Sequence, residues 1–283
     1  MVKILNMNKQ KAEELLNSKT PEFVLNKYSE LYELNNSQID FYRGNGFIKL
    51  EQVFNGEVLS FIKNIIEASV FIRKEADERE LKDKTQYQQS FLQCGFLAFD
   101  FPVVQDFVLS KRLGSIAKCL LEVDHVRLWH DQALFKEPAG RKTDVHVDSS
   151  YWPVTEPLKS GTIWLALNDV PIEKGCLFFY PESQKLVREY VDIFNSPHVP
   201  ESIAKSDKVF TPLKAGDITF HSGLTYHGAG QNQTDEYREG MTVIYISDGN
   251  KFTSSDERNA THKSCSGLKD GEIIDTVYTP VII

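Results

Sequence analysis

Cysteine is scarce in this chain: four residues in 283, Cys94, Cys119, Cys176 and Cys265, with no Cys-x-x-Cys spacing among them. That fits reduced thiols in a cytoplasmic protein better than a disulfide framework or a structural zinc site. Long hydrophobic runs are also missing, since none approaches the ~20 residues of a membrane-spanning helix. The opening Met1-Val2-Lys3-Ile4-Leu5 turns polar too soon for a secretory signal. An excess of positive charge is lacking as well. A net charge of −8 speaks against nucleic acid as a partner, because phosphate backbones are held by basic surfaces. What remains, at 41% hydrophobic and 25% charged residues, is the composition of an ordinary soluble, intracellular, acidic protein.

The first 122 residues read as mostly helical. Residues 22–34 place Phe23, Leu31 and Leu34 on an apolar stripe with tyrosines between them, and Ser37 with Asp40 marks the start of a short helix that Gly44-Asn45-Gly46 ends. Residues 46–50 suggest a strand. From Gly56, Val58, Leu59, Ile62, Ile65 and Ile66 fall on one helical face. The very polar stretch 74–90 reads as a solvent-exposed segment, and a helix over 104–121 would bury Phe107, Val108, Ile116, Ala117 and Leu120. After Val123 the pattern changes to short apolar stretches (126–135, 161–168, 176–180, 217–221 and 238–246) broken by Gly, Pro, Asn and Asp, as antiparallel strands are. The expected architecture is mainly β with a helical N-terminal layer. It is a jelly roll, that is, a cupin-like double-stranded β-helix, over 123–250, interrupted by an insertion at 186–209 and followed by an extension at 251–283. All of it is expected to form one domain, 1–283.

Within the β region, Asp144-Val145-His146-Val147-Asp148 carries the chemistry. In an extended strand residues i and i+2 share a face, so His146 and Asp148 can offer an imidazole and a carboxylate to one ion. A histidine from a distant strand would complete the two-His-one-carboxylate set that binds iron(II) and leaves positions open for a chelating 2-oxo acid and O2. His227, in Thr225-Tyr226-His227-Gly228-Ala229, ends a strand among small residues. Eleven residues later Arg238 opens the strand Met241 to Ile246. A guanidinium fork near iron suits the far carboxylate of 2-oxoglutarate; an ordinary surface salt bridge is the alternative.

With His146-x-Asp148, His227 and Arg238 in this order, the chain resembles the phytanoyl-CoA dioxygenase family of Fe(II)/2-oxoglutarate oxygenases. The stretches 131–138 (Asp-Gln-Ala-Leu-Phe-Lys-Glu-Pro), 175–183 (Gly-Cys-Leu-Phe-Phe-Tyr-Pro-Glu-Ser) and Asn45-Gly46-Phe47-Ile48 add to the resemblance, which runs from about residue 37 to 250. It implies 2-oxoglutarate lying between iron and Arg238, with Gln132 and Trp164 as side walls. Where many members carry a serine two residues after the second histidine, this chain has Ala229, and Thr242 is the expected substitute hydroxyl. Related halogenases have a small residue at the position of Asp148. The carboxylate here points instead to hydroxylation, with desaturation, epimerisation and ring formation left open because they start from the same hydrogen abstraction.

Further residues have two readings each. His130 and Gln93 are either substrate contacts or hydrogen-bonded core residues, and Ser150, Tyr151 and Trp152, directly after the ligand motif, either touch substrate or, for the aromatic pair, pack on the sheet. His221 is expected to support or pack rather than ligate; Lys136 and Arg127 to lie on the rim or surface; His125, His198 and His262 to lie in loops. No basic cluster marks a coenzyme A phosphate site, which favours a small metabolite or natural-product intermediate. Two competing readings stand beside the oxygenase: a non-catalytic jelly-roll binding protein, and a zinc hydrolase, since zinc accepts the same ligands.

Overall fold

The structure, a computed structural model, describes residues 7–186, 199–253 and 262–283. Four helices open it: α1 (Lys9–Leu16), α2 (Glu22–Ser29), α3 (Asn36–Asn45) and, after strand β1 (Phe47–Leu50), α4 (Gly56–Lys74). Helix α3 begins on a capping box in which Asn35 and Gln38 satisfy each other's backbone N–H groups, so the start lies two residues before the expected Ser37. It ends at Gly46, whose φ of +79° suits glycine. Helix α2 stops at Ser29 and buries Val24 and Tyr28, leaving Phe23 at 47% and Leu31 at 56% exposure. The expected stripe was one step out of phase. In α4 the expected face is the buried one, with Ile62, Ile65 and Ile66 inside.

Next come α5 (Gln86–Ser90), β2 (Leu92–Gly95), α6 (Leu97–Asp100), α7 (Pro102–Val108) and α8 (Lys111–Leu121). The single helix expected over 104–121 is broken at Leu109-Ser110 into α7 and α8, yet Phe107, Val108, Ile116, Ala117 and Leu120 are all buried. The chain continues through β3 (Val126–Phe135), β4 (Thr143–His146), β5 (Ser160–Ala166), β6 (Leu177–Phe179), α9 (Glu201–Ala204), β7 (Val209–Thr211), β8 (Ile218–Ser222), β9 (His227–Ala229) and β10 (Gly240–Ser247). Half of the insertion expected at 186–209, residues 187–198 with His198 among them, lies outside the described residues.

The strands form two antiparallel sheets, a larger one in the order β1-β8-β5-β10-β3-β2 and a smaller one in the order β4-β9-β6-β7. This is the expected double-stranded β-helix with its helical layer. Alternation along the large sheet divides its residues between two environments. Ile163 and Leu165 of β5, Ile218 and Phe220 of β8, and Met241, Val243 and Tyr245 of β10 join the main apolar core with α4, α7 and α8. Their neighbours Thr162, Trp164, His221, Thr242 and Ile244 line a cavity between the sheets. The C-terminal residues run along β3, with Val126 N–H donating to Ile283 O at 3.1 Å and Leu128 N–H to Pro280 O at 3.1 Å. None of the described helices is long and apolar enough to cross a membrane.

Candidate active site

At one side of the cavity, β4 and β9 pair so that His146 stands opposite His227. Asp148 follows at the first turn after β4. Ligand atoms of the three residues lie within 4.8 Å of one another, close enough to share one ion. Asp148 Oδ1 is 3.4 Å from His146 Nε2 and 3.6 Å from His227 Nε2. Each ring is fixed from behind: His146 Nδ1 is 2.8 Å from Asp144 O and His227 Nδ1 is 2.9 Å from Thr225 O. A backbone carbonyl accepts only, so both Nδ1 atoms carry the proton and both Nε2 lone pairs face the site, as metal ligation requires.

Asp148 is held in the same manner. Its Oδ2 accepts from Thr162 Oγ1 at 2.8 Å and from His221 Nε2 at 3.1 Å, which leaves Oδ1 toward the two ligand histidines. His221 thus supports the carboxylate rather than joining the triad, in line with its expected supporting or packing role. Burial by itself would push the Asp148 carboxyl up, but His227, His146 and His221 outweigh it and hold it well below the usual range. Burial, with the ring of His146 beside it, holds His227 well below its ordinary value. Carboxylate and imidazole are therefore both in their ligating forms.

Across the cavity lies Arg238, 2% exposed. Its Nη1 donates to Gly175 O at 2.9 Å, its Nε has no partner, and its guanidinium lies 5.3 Å from the Trp164 ring centre. Burial brings it down to about 10, so it stays a cation, yet no carboxylate pairs with it among the described residues. A buried, unpaired cation is costly unless a ligand anion completes it. Glycine at 240 makes this arrangement possible, because a Cβ there would stand 2.1 Å from Trp164 Cζ2. Thr242, expected to replace the missing serine, lines the cavity, but its hydroxyl donates to Gln132 O at 3.0 Å. The position directly opposite Ala229 is Thr143, which also lines the cavity. Its Oγ1 accepts from Lys136 Nζ at 3.3 Å. Lys136 is not on the rim or surface: it is 0% exposed, and burial, with Arg238 and Arg141 nearby, holds it well below its ordinary value.

The cavity is about 470 Å³. Gln93, His130, Gln132, Tyr151, Trp152 and Trp164 all line it; Ser150 does not. Tyr87 Oη donates to Gln93 Oε1, and Gln93 Nε2 donates in turn to Gln132 Oε1. Trp152 also packs with Trp129, Val154 and Phe252, as its packing reading expects, while its ring lines the cavity. Thr143 and Thr162 line the cavity without having been singled out from the sequence, and so do Tyr87 and His262. Tyr87 lies in the polar segment 74–90, read as exposed and as covering the pocket mouth, where Lys84 is also buried, donating to Glu137 Oε2 at 2.6 Å. His262, expected in a plain loop, reaches the cavity from the C-terminal extension. Arg127, near the start of β3, is buried rather than on the rim or surface, tied to Asp248 and Asp275 at 2.6 Å each and not lining the cavity, and His125 is exposed.

Fold, histidine–carboxylate triad and buried arginine together define the class of iron(II)- and 2-oxoglutarate-dependent oxygenases. The model of the family Phytanoyl-CoA dioxygenase (PhyH) matches residues 42–240, and the chain belongs to this family. It is 27% identical over 202 residues to the Phytanoyl-CoA dioxygenase of Arabidopsis thaliana, a match covering 68% of this chain and 70% of that one. Among solved structures it is similar to the non-heme alpha ketoglutarate dependent carbocyclase SnoK from nogalamycin biosynthesis. That likeness has a TM-score of 0.75 and 24% identity, and covers 89% of this chain and 97% of the other. It is also similar to the epimerase SnoN, solved with Fe3+, alpha ketoglutarate and nogalamycin RO. There the TM-score is 0.72 at 23% identity, covering 87% of this chain and 98% of that one. These two likenesses concern the fold.

Proposed function

We propose that this enzyme hydroxylates an unactivated C–H bond of a small metabolite or natural-product intermediate, consuming O2 and converting 2-oxoglutarate to succinate and CO2. The observation that carries the reading is Arg238, a buried cation with an unpartnered Nε in the same cavity as the triad. His146, Asp148 and His227 would hold iron(II), which with O2 and 2-oxoglutarate supplies the oxidising power. The protein's own residues bind and orient. Arg238 takes the far carboxylate of 2-oxoglutarate, with Trp164 packed on the guanidinium. Thr143, with Lys136 donating into its oxygen, is left with its own O–H to give that carboxylate, in the place where Ala229 offers none. Thr162 and His221 keep Asp148 turned to the metal position.

Asp148 also bears on the outcome. A carboxylate there occupies the position that a halide would need, which favours transfer of hydroxyl. The neighbours named as a carbocyclase and an epimerase use the same fold for other endings, so substrate placement selects among them. A zinc hydrolase is disfavoured because Asp148 is the sole carboxylate among the described lining residues, leaving none to act as general base. Succinate released from 2-oxoglutarate by iron-loaded protein tests the proposal. We expect formation in wild type and loss of it in the His146→Ala, His227→Ala double variant. Succinate persisting in that variant, or none in wild type with iron and 2-oxoglutarate bound, contradicts it.

A further inference from the structure

We propose that the end of the cavity away from Arg238 is a neutral hydrogen-bond clamp, in which His130 and His262 donate together to one carbonyl-type oxygen of an uncharged ring substrate. This deepens the oxygenase reading and rests on it for the substrate's fate.

The charge inventory of the cavity comes first. Among its described lining residues the only carboxylate is Asp148 and the only guanidinium or ammonium is Arg238. With one assigned to metal and the other to 2-oxoglutarate, a charged substrate group would be buried without a counter-ion, at high cost. Tyr87, Gln93 and Gln132 are engaged with one another. Tyr151 is engaged as well, and beside these groups, among the described lining residues, stand the two imidazoles.

Their placement is built rather than incidental. Ile244 pairs with His130 while the next residue, Tyr245, pairs with Leu128, so Trp129 is the extra residue of a β-bulge. Bulges re-aim side chains beside active sites. Here Trp129 stacks on His262 with ring centres 4.6 Å apart at 8°, and His130 lines the cavity against Phe96 at 5.6 Å and 25°. Ser264 Oγ donates to Trp129 O, which ties the C-terminal segment to the bulge. The two imidazole centres are 5.0 Å apart.

The tautomers follow from their partners. His262 Nδ1 accepts from Ser264 N–H at 3.3 Å, so its proton is on Nε2. His130 Nδ1 is buried without a partner. An enclosed orphan N–H is rarer in folded proteins than an orphan acceptor, which puts that proton on Nε2 as well. Burial keeps both rings neutral, lowering His262 to about 4 and His130 well below its ordinary value. The result is a pair of neutral N–H donors with no acceptor among the described residues. A carbonyl oxygen has two lone pairs and accepts two such bonds. Phe91, Trp152 and Ile244 supply apolar walls for a flat ring.

The test uses matched probes: chromone and xanthone, their counterparts chromene and xanthene, which lack the carbonyl, and xanthone-2-carboxylic acid. Binding is followed by quenching of tryptophan fluorescence, both in metal-free protein and in anaerobic protein loaded with Fe(II) and 2-oxoglutarate. We expect at least one ketone to bind about 10–100-fold more tightly than its deoxo partner, as two neutral hydrogen bonds allow. The carboxylate should gain nothing. His130→Phe and His262→Phe, which keep the ring stacking, should each reduce the ratio, and the double variant should bring it near one while 2-oxoglutarate affinity is retained. Equal binding of ketone and deoxo probes, tightest binding of the carboxylate, an unchanged ratio in the double variant, or no probe bound at all overturns the clamp. A missing Fe(II)–2-oxoglutarate charge-transfer band, with ketone selectivity present, would sink the oxygenase reading alone.

Discussion

The two faces of the large sheet are made from the same strands and obey opposite rules. The outward face, with Ile163, Leu165, Ile218, Phe220, Met241 and Val243, is apolar but for the Tyr245 hydroxyl and covered by helices. The inward face carries His130, Gln132, Thr162, Trp164, His221 and Thr242, and several of its polar atoms have no partner, among them His130 Nδ1, Trp164 Nε1, His221 Nδ1 and, beside the sheet, Arg238 Nε. Buried polar groups are ordinarily satisfied. The outward face therefore accounts for why the chain folds, while the inward face is incomplete until ligands occupy it.

Substitutions should separate the two faces. The largest effect belongs outside: Phe220→Ala removes a fully buried ring packed against Tyr42 at 5.3 Å. We expect about 3–5 kcal/mol of lost stability in denaturant unfolding, with the 2-oxoglutarate affinity of the remaining folded protein nearly unchanged. Inside the cavity, His262 gives a pH signature. The unfolded imidazole takes its proton near 6.5 and the folded one near 4. Between those values the unfolded state binds more protons, so stability is full above about 6.5 and falls as pH drops toward 4, by on the order of 3 kcal/mol. His262→Phe should flatten that slope; a slope unchanged in the variant would place its origin elsewhere.

Arg238→Leu is the sharpest contrast with Phe220→Ala. Loss of a charge-assisted pair should weaken 2-oxoglutarate roughly 100-fold, while ligand-free stability holds or rises because an unpaired buried cation is gone. A Tm well below wild type would show that Arg238 is structural instead. The smallest effect is expected for Thr143→Val, about a 5–10-fold weaker 2-oxoglutarate affinity from one hydrogen bond, measured by calorimetry under nitrogen.

What could be read beforehand was local. His146 and Asp148 come together across an extended Val147, although Asp148 itself opens the turn after β4 rather than continuing the strand; His227 and Arg238 bracket one loop, and Trp164 and His221 follow strand alternation, so period-two reasoning reaches them. What could not be read depends on distant pairing. His262 enters the cavity because the C-terminal segment docks on β3 through Ser264 and Trp129, more than a hundred residues away. The bulge at Trp129 is set by register with β10 and leaves no mark in composition. Tyr87 sits in a charged stretch whose polarity describes its outer side only, and Lys136 is buried among Arg141 and Thr143 where charge alone would place it in solvent. The helix phase error at Phe23 has the same origin, because Val24 and Tyr28 win the inward side by fitting Phe54 and Phe107.

The most direct measurement is an anaerobic titration of Fe(II)-loaded protein with 2-oxoglutarate, followed by the metal-to-ligand charge-transfer absorption. We expect a saturable band in wild type, the same band at roughly 100-fold higher 2-oxoglutarate in Arg238→Leu, and none in His227→Ala. Equal affinity in wild type and Arg238→Leu, or no band in wild type at saturating iron and 2-oxoglutarate, would contradict the assignment of this cavity as an iron and 2-oxoglutarate site.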